Sequence, residues 1–252
     1  MDKEREKPQV LWEDGKHKFI WLGAGDISKE KGIPANQYMI VDEGEGYLLD
    51  PGGYHVFDRV FANVSKFITP DKVKGILASH QDPDVVESLV SWVEVSPEVT
   101  IYLSTLWERF IPHLALPSVP NLKLIPDEGS EITLASGSKI KFIPAHYLHS
   151  PGNFHAYDER SRTLFCGDAG AAIVPEDKWS LFVKNFDEHV QYMKGFHVRY
   201  LPCTKAITNY LQRVKDLKID MICPQHGLIF KGENIGKFVN WLANLKVGVD
   251  AA

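Results

Sequence analysis

The chain has 252 residues, of which 44% are hydrophobic and 24% charged, with a formal net charge of −5. This is ordinary globular composition, and a chain this long buries roughly three quarters of its unfolded surface, so no disulfide staple is required. The absence of a long basic cluster argues against nucleic acid or an anionic membrane as the main partner; no apolar run reaches the roughly 18 residues of a membrane span.

From the amino terminus, Lys18–Leu22, Gln37–Val41 and Gly46–Leu49 read as strands that end in turn residues. Asp50-Pro51-Gly52-Gly53 forces a turn, and Val56, Val60, Phe61 and Val64 predict one face of a helix over 54–67. A strand at 75–79, a helix from about 85 to 93, a strand at 100–103 and a helical turn at 106–110 follow. The second half predicts a hairpin, 131–134 with 138–143, around Ala135-Ser136-Gly137, then a strand at 163–166. Trp179 to Leu201 is an aromatic- and charge-rich connection between Asp168 and the helix before His226, read as a plain crossover or dimer contact, with a surface that changes on binding as the competing role. An amphipathic helix at 204–217, a buried strand at 221–223 and a helix at 234–245 complete the chain. Helices interleave with strands in both halves, with no linker and no repeat. That predicts one layered α/β domain over 1–252, with helices outside two packed sheets.

Four short segments each follow a predicted strand: Ser79-His80-Gln81-Asp82-Pro83-Asp84, Leu148-His149-Ser150-Pro151, Cys166-Gly167-Asp168 and Pro224-Gln225-His226-Gly227. Together they supply three imidazoles (His80, His149, His226) and three carboxylates (Asp82, Asp84, Asp168), enough for two metal ions. A set this rich in hard oxygen favours iron over zinc. Ordinary roles compete for each residue. Asp82 or Asp84 could cap a helix with Pro83 just inside it, Asp168 could be a turn aspartate, and a lone His226 could be structural. Their shared place at strand ends, where α/β folds put ligands, weighs against those roles. His146 competes with His149, which is preferred because its segment sits at a turn. His17, His55, His113, His155, His189 and His197 stand in no comparable context and read as surface or packing residues. Cys166, Cys203 and Cys223 are odd in number and far apart, and read as reduced thiols. With a charged amino terminus that lacks a signal-peptide core, they predict a cytoplasmic protein.

Gly46-Tyr47-Leu48-Leu49-Asp50-Pro51-Gly52, His80-x-Asp82-x-Asp84, His149, Asp168 and Pro224-x-His226-Gly227, taken in order, resemble the metallo-β-lactamase fold. More closely they resemble the diiron domain of flavodiiron proteins, and the resemblance runs over nearly the whole chain. It implies an αββα sandwich. One iron would take His80, Asp82 and His149, the other Asp84 and His226, with Asp168 bridging and Asp50 structural. It also implies a head-to-tail homodimer. There are three departures. Asp82 stands in place of a glutamate, and Val85 in place of the histidine that closes the family motif, leaving the second iron one ligand short. Too few residues follow His226 for a flavodoxin domain, and no Gly-rich flavin phosphate loop is seen, so no flavin is expected in this chain.

Two ferrous ions can give O2 two electrons together, forming an oxo or peroxo ligand. Without a flavin the adduct is expected to persist, which favours an oxygen sensor acting through a signalling partner. The competing readings are an O2 or NO reductase fed by a separate flavoprotein or rubredoxin, and a metal-dependent hydrolase of the same fold.

Overall fold

The computed structural model describes residues 2–25, 32–114 and 121–251. A short helix α1 (Asp2–Arg5) leads into a seven-stranded sheet of β1 (Gln9–Asp14), β2 (His17–Gly25), β3 (Ala35–Asp42), β4 (Glu45–Leu49), β5 (Val73–Leu77), β6 (Thr100–Ser104) and β7 (Leu122–Ile125), in sequence order. Its first four strands are antiparallel and β4 to β7 are parallel. The second sheet has the order β13-β12-β11-β10-β9-β8. Its strands are β8 (Ser130–Thr133), β9 (Lys139–Pro144), β10 (Phe154–Asp158), β11 (Thr163–Phe165), β12 (Met221–Cys223) and β13 (Phe230–Lys231).

Alternation along the strands sorts side chains to two faces. Phe19, Trp21, Tyr38 and Ile40 meet Phe142, Phe154, Phe165 and Met221 in an aromatic core between the sheets. The intervening Ile20, Leu22, Met39 and Val41 point the other way, against α2 (Phe57–Val64), α3 (Pro83–Val86) and α4 (Leu89–Val95). Outside the second sheet, Phe186 and Met193 of α5 (Phe186–Tyr200), Ile207, Tyr210 and Val214 of α6 (Thr204–Val214), and Phe238 and Leu242 of α7 (Glu233–Ala243) form a third cluster. The layers are therefore helix, sheet, sheet, helix, as the α/β reading expects.

Several elements differ from the sequence expectation. The helix predicted over 85–93 is two pieces, because Ser88 turns its backbone N–H and hydroxyl to the Gly52 carbonyl, at 3.2 and 2.6 Å. The helix predicted to reach Phe67 ends at Val64. The connection from Trp179 to Leu201 is mostly α5, capped by the Asn185 side chain, which accepts from the backbone N–H groups of Asp187 and Glu188. Strands β1, β7, β10 and β13 had no counterpart in the sequence reading.

Candidate metal centre

Four strands deliver the candidate residues to one end of the sandwich: β5 leads to His80, β9 to His149, β11 to Asp168 and β12 to His226. Asp82 sits at the N-cap position of α3 with Pro83 as the first helical residue, yet its side chain makes no cap bond. Its Oδ2 instead faces His80 Nε2 at 3.6 Å and His149 Nε2 at 3.3 Å. The capping role is therefore set aside by geometry.

Asp168 lies between two imidazole groups. Its Oδ2 is 3.5 Å from His80 Nε2 and 2.9 Å from His149 Nε2, while its Oδ1 is 3.4 Å from His226 Nε2. Asp84 Oδ2 is 3.1 Å from the same His226 nitrogen. The donor atoms of His80, Asp82, His149 and Asp168 all lie within 4.8 Å of one another. All six side chains singled out in the sequence thus converge, in two groups that share Asp168. His146 stays apart, its Nε2 2.9 Å from the Asp127 carbonyl.

Neighbouring groups fix which ring nitrogen is free. Ser79 Oγ donates its one proton to Asp50 Oδ2 at 2.5 Å, so His80 Nδ1–H must donate to Ser79 Oγ at 2.9 Å. His226 Nδ1 lies 3.0 Å from the Pro34 carbonyl, which can only accept. In both rings Nδ1 is spent on a fixed acceptor, so Nε2 is the nitrogen that faces the carboxylates and the one a metal would take. Asp50 is fully buried and also accepts from the Ser79 backbone N–H at 2.8 Å. Burial pushes its carboxyl up to about 7, against the pull of His80 and the Ser79 bonds.

With no cation present the carboxylates hold protons on the imidazoles. Burial opposes charge on His149 and His226, but Asp168 and Asp82 in one case, and Asp84 and Asp168 in the other, outweigh it and raise both to about 9. Burial likewise opposes the charge on Asp168, and His149 and His80 hold its carboxyl well below the usual range. Even so, the buried His80 Nε2 and Asp168 Oδ1 have no hydrogen-bond partner. At 3.4 to 3.6 Å their contacts are too long for good hydrogen bonds and leave room for ions between nitrogen and oxygen. The donor set and the orphaned atoms fit two cations of a kind that accepts mixed nitrogen and oxygen ligands.

A cleft of about 640 Å³ opens onto the centre, lined by Asp82, Asp84, His149, Asp168 and His226 and walled by Ile33, Ala171, Ile173, Phe196 and Tyr200. Phe196 and Tyr200 stack on each other 4.9 Å apart, and both stand edge-on to His149. Val85 is fully buried in the apolar layer under α3, away from this cleft. Sequence reasoning missed Ser79, Gln225, Phe196 and Tyr200. Ser79 and Gln225 stood beside ligand candidates, so their positions were the available signal. It also missed the buried polar roles of His155, whose Nδ1 is 2.8 Å from the Tyr210 hydroxyl, and His197, whose Nε2 accepts from the Gly170 N–H at 2.9 Å.

A family model described as ODP family beta lactamase matches residues 33–227. Two solved structures of chemotaxis sensor ODP are similar over 97% of this chain. One, a peroxy diiron species, is 46% identical, with a TM-score of 0.85 and 97% of that chain covered. The other, an apo state from T. denticola, is 47% identical, with a TM-score of 0.87 and 96% covered. A protein of Methanocaldococcus jannaschii is 30% identical over an alignment of 247 positions that covers 91% of this chain but only 60% of that protein's length. A flavo di-iron protein variant of Thermotoga maritima, 22% identical with a TM-score of 0.79, covers 94% of this chain with 60% of its own and shares the metallo-β-lactamase-like fold.

Proposed function

The chain belongs to the ODP family of beta-lactamase-fold proteins, and from that premise we propose that it is a non-haem diiron protein that binds O2 as an oxygen sensor. In this reading His80, Asp82 and His149 hold one iron, Asp84 and His226 hold the other, and Asp168 bridges them. The observation that carries it is the division of Asp168, with Oδ2 toward His80 and His149 and Oδ1 toward His226. Held by these residues, two ferrous ions would supply the two electrons that O2 binding needs.

The protein's own groups prepare that event. Asp50, through Ser79, and the Pro34 carbonyl hold His80 and His226 in the tautomer that presents Nε2. Phe196 and Tyr200 press on His149 and wall the cleft with apolar surface, which admits a small uncharged gas and limits water. Both residues ride on the last turns of α5, and His197 of the same helix binds the loop of Asp168 through Gly170. A shift at His149 or Asp168 therefore passes directly to α5, which supplies a route from the site to a signalling partner. One domain over 1–252, a homodimer and a cytoplasmic location belong to the same proposal.

Metal analysis after anaerobic reconstitution should find two irons per chain. Stopped-flow mixing of the reduced protein with O2 should give a visible absorbance that lasts for minutes. Zinc with phosphodiesterase or thioesterase activity would overturn the iron reading. Fast multiple turnover with a reduced flavoprotein or rubredoxin would replace the sensor with a reductase.

A further inference from the structure

Gln225 stands between the two ligand candidates of the second ion and takes no part in the reading above. It is 1% exposed, and its Nε2 donates to Asp84 Oδ2 at 3.1 Å, the same oxygen that faces His226 Nε2 at 3.1 Å. Its backbone is tied independently: the N–H donates to the Gly167 carbonyl at 2.7 Å, and the carbonyl accepts from the Asn36 N–H at 2.6 Å. The amide is thus fixed to the loop that carries Asp168 before its side chain reaches Asp84.

The first ion has a different arrangement. Gln81 Nε2 also donates to a ligand candidate, at 3.1 Å, but to Asp82 Oδ1, while Oδ2 faces the imidazoles. Gln81 is exposed and Gln225 is buried. A buried donor to a carboxylate makes a strong charge-assisted bond, and here it fixes the rotation of the oxygen that would meet the metal. Asp84 needs such support, since its side chain is 39% exposed and Val85 gives the second ion no further ligand.

We infer that Gln225 is the positioning residue of the second metal ion: it aims Asp84 Oδ2 and so sets that ion's affinity without touching the first. This rests on the two-ion reading. Groups that orient a ligand from behind typically change metal affinity 10–100-fold when removed, and the effect should fall on one of two binding steps.

The test is anaerobic titration of the whole chain with Co(II), a ferrous stand-in, followed by calorimetry and visible absorption. Wild type should take up two ions in two steps. Gln225→Met keeps the length and the backbone bonds but removes the donor. It should weaken the second step 10–100-fold, leave the first within about threefold, and change the absorption only of the second ion. Gln225→Asn, one methylene short of Asp84, should do the same and serves if the methionine variant folds poorly. Gln81→Met should leave both steps within about threefold. Two steps in wild type with an unchanged second step in a folded Gln225 variant overturns this inference alone, as does equal weakening of both steps. A single step in wild type overturns the two-ion reading and takes this inference with it.

Discussion

The sandwich carries a histidine among carboxylates at each of its two ends, and the two clusters are built for opposite purposes. They are joined by β3, in which Asn36 bonds the His226 loop and Asp42 lies at the far end, roughly 20 Å away at about 3.3 Å per residue. At the far end His17 uses both ring nitrogens, Nδ1 to Asp42 Oδ1 at 2.7 Å and Nε2 to Asp158 Oδ2 at 3.0 Å. The remaining carboxylate oxygens are met by Ser136 and by the backbone of Arg160, and the Ser161 hydroxyl also donates to Asp158. Burial opposes charge on His17, but Asp158 and Asp42 outweigh it and raise its pKa. At the other end His80 and His226 each commit one nitrogen to a fixed acceptor and turn the other toward carboxylates at longer range. One cluster is completed by a proton and the other asks for a cation. Proximity of histidine to aspartate does not separate them; the count of committed ring nitrogens does.

The largest expected effect breaks the open cluster. Asp168→Ala removes the group shared by both halves and should take iron from two per chain to near none, read by elemental analysis. Two irons retained would end the bridging assignment. His149→Ala should lose the first ion on the same assay. At the closed cluster, His17→Leu leaves two buried carboxylates without their counter-charge. It should cost about 3–5 kcal/mol in denaturant unfolding with metal content unchanged. A variant that lost iron instead would show that the two ends are coupled.

The convergence of the open cluster was legible because its histidines and carboxylates follow strands in short segments, and the order of six potential donors carries information that a single histidine does not. The closed cluster was not legible. His17, Asp42 and Asp158 are separated by 25 and 141 positions in their pairings, and nothing local marks them. Strand β10, fully buried, was missed for the same reason: His155 and Asp158 make it look polar, while their partners Tyr210 and His17 lie far off in sequence. Helix α5 was legible in part, since Asn185 before Asp187 and Glu188 is a capping signal. The break at Ser88 was not, because it answers the carbonyl of Gly52 on another loop.

Proton linkage sharpens the comparison. In the metal-free protein His149 and His226 have folded values of about 9 against 6.5. A raised folded value gives stability that is full below the unfolded value and is lost as pH rises toward the folded one. The metal-free protein should therefore lose about 2–4 kcal/mol between pH 7 and 9, followed by urea unfolding at fixed temperature. The iron-loaded protein should lose much less, because the ions replace those protons. Metal-free stability that stayed flat or rose over that range would show that the imidazoles do not hold protons there.

The smallest expected effect discriminates best between two neighbouring histidines. His146 and His149 leave the same strand three residues apart, and each stands edge-on to an aromatic ring, His146 to Phe154 and His149 to Phe196. Only His149 turns Nε2 to Asp168, whereas His146 spends that nitrogen on the Asp127 carbonyl. His146 commits one nitrogen to a backbone carbonyl, and its other, buried nitrogen has no partner, so it belongs to neither cluster, whereas His149 faces the shared carboxylate. His146→Ala should then keep two irons per chain and lose only the modest stability of one hydrogen bond, about 0.5–1.5 kcal/mol. Loss of iron in His146→Ala, with iron retained in His149→Ala, would reverse the assignment.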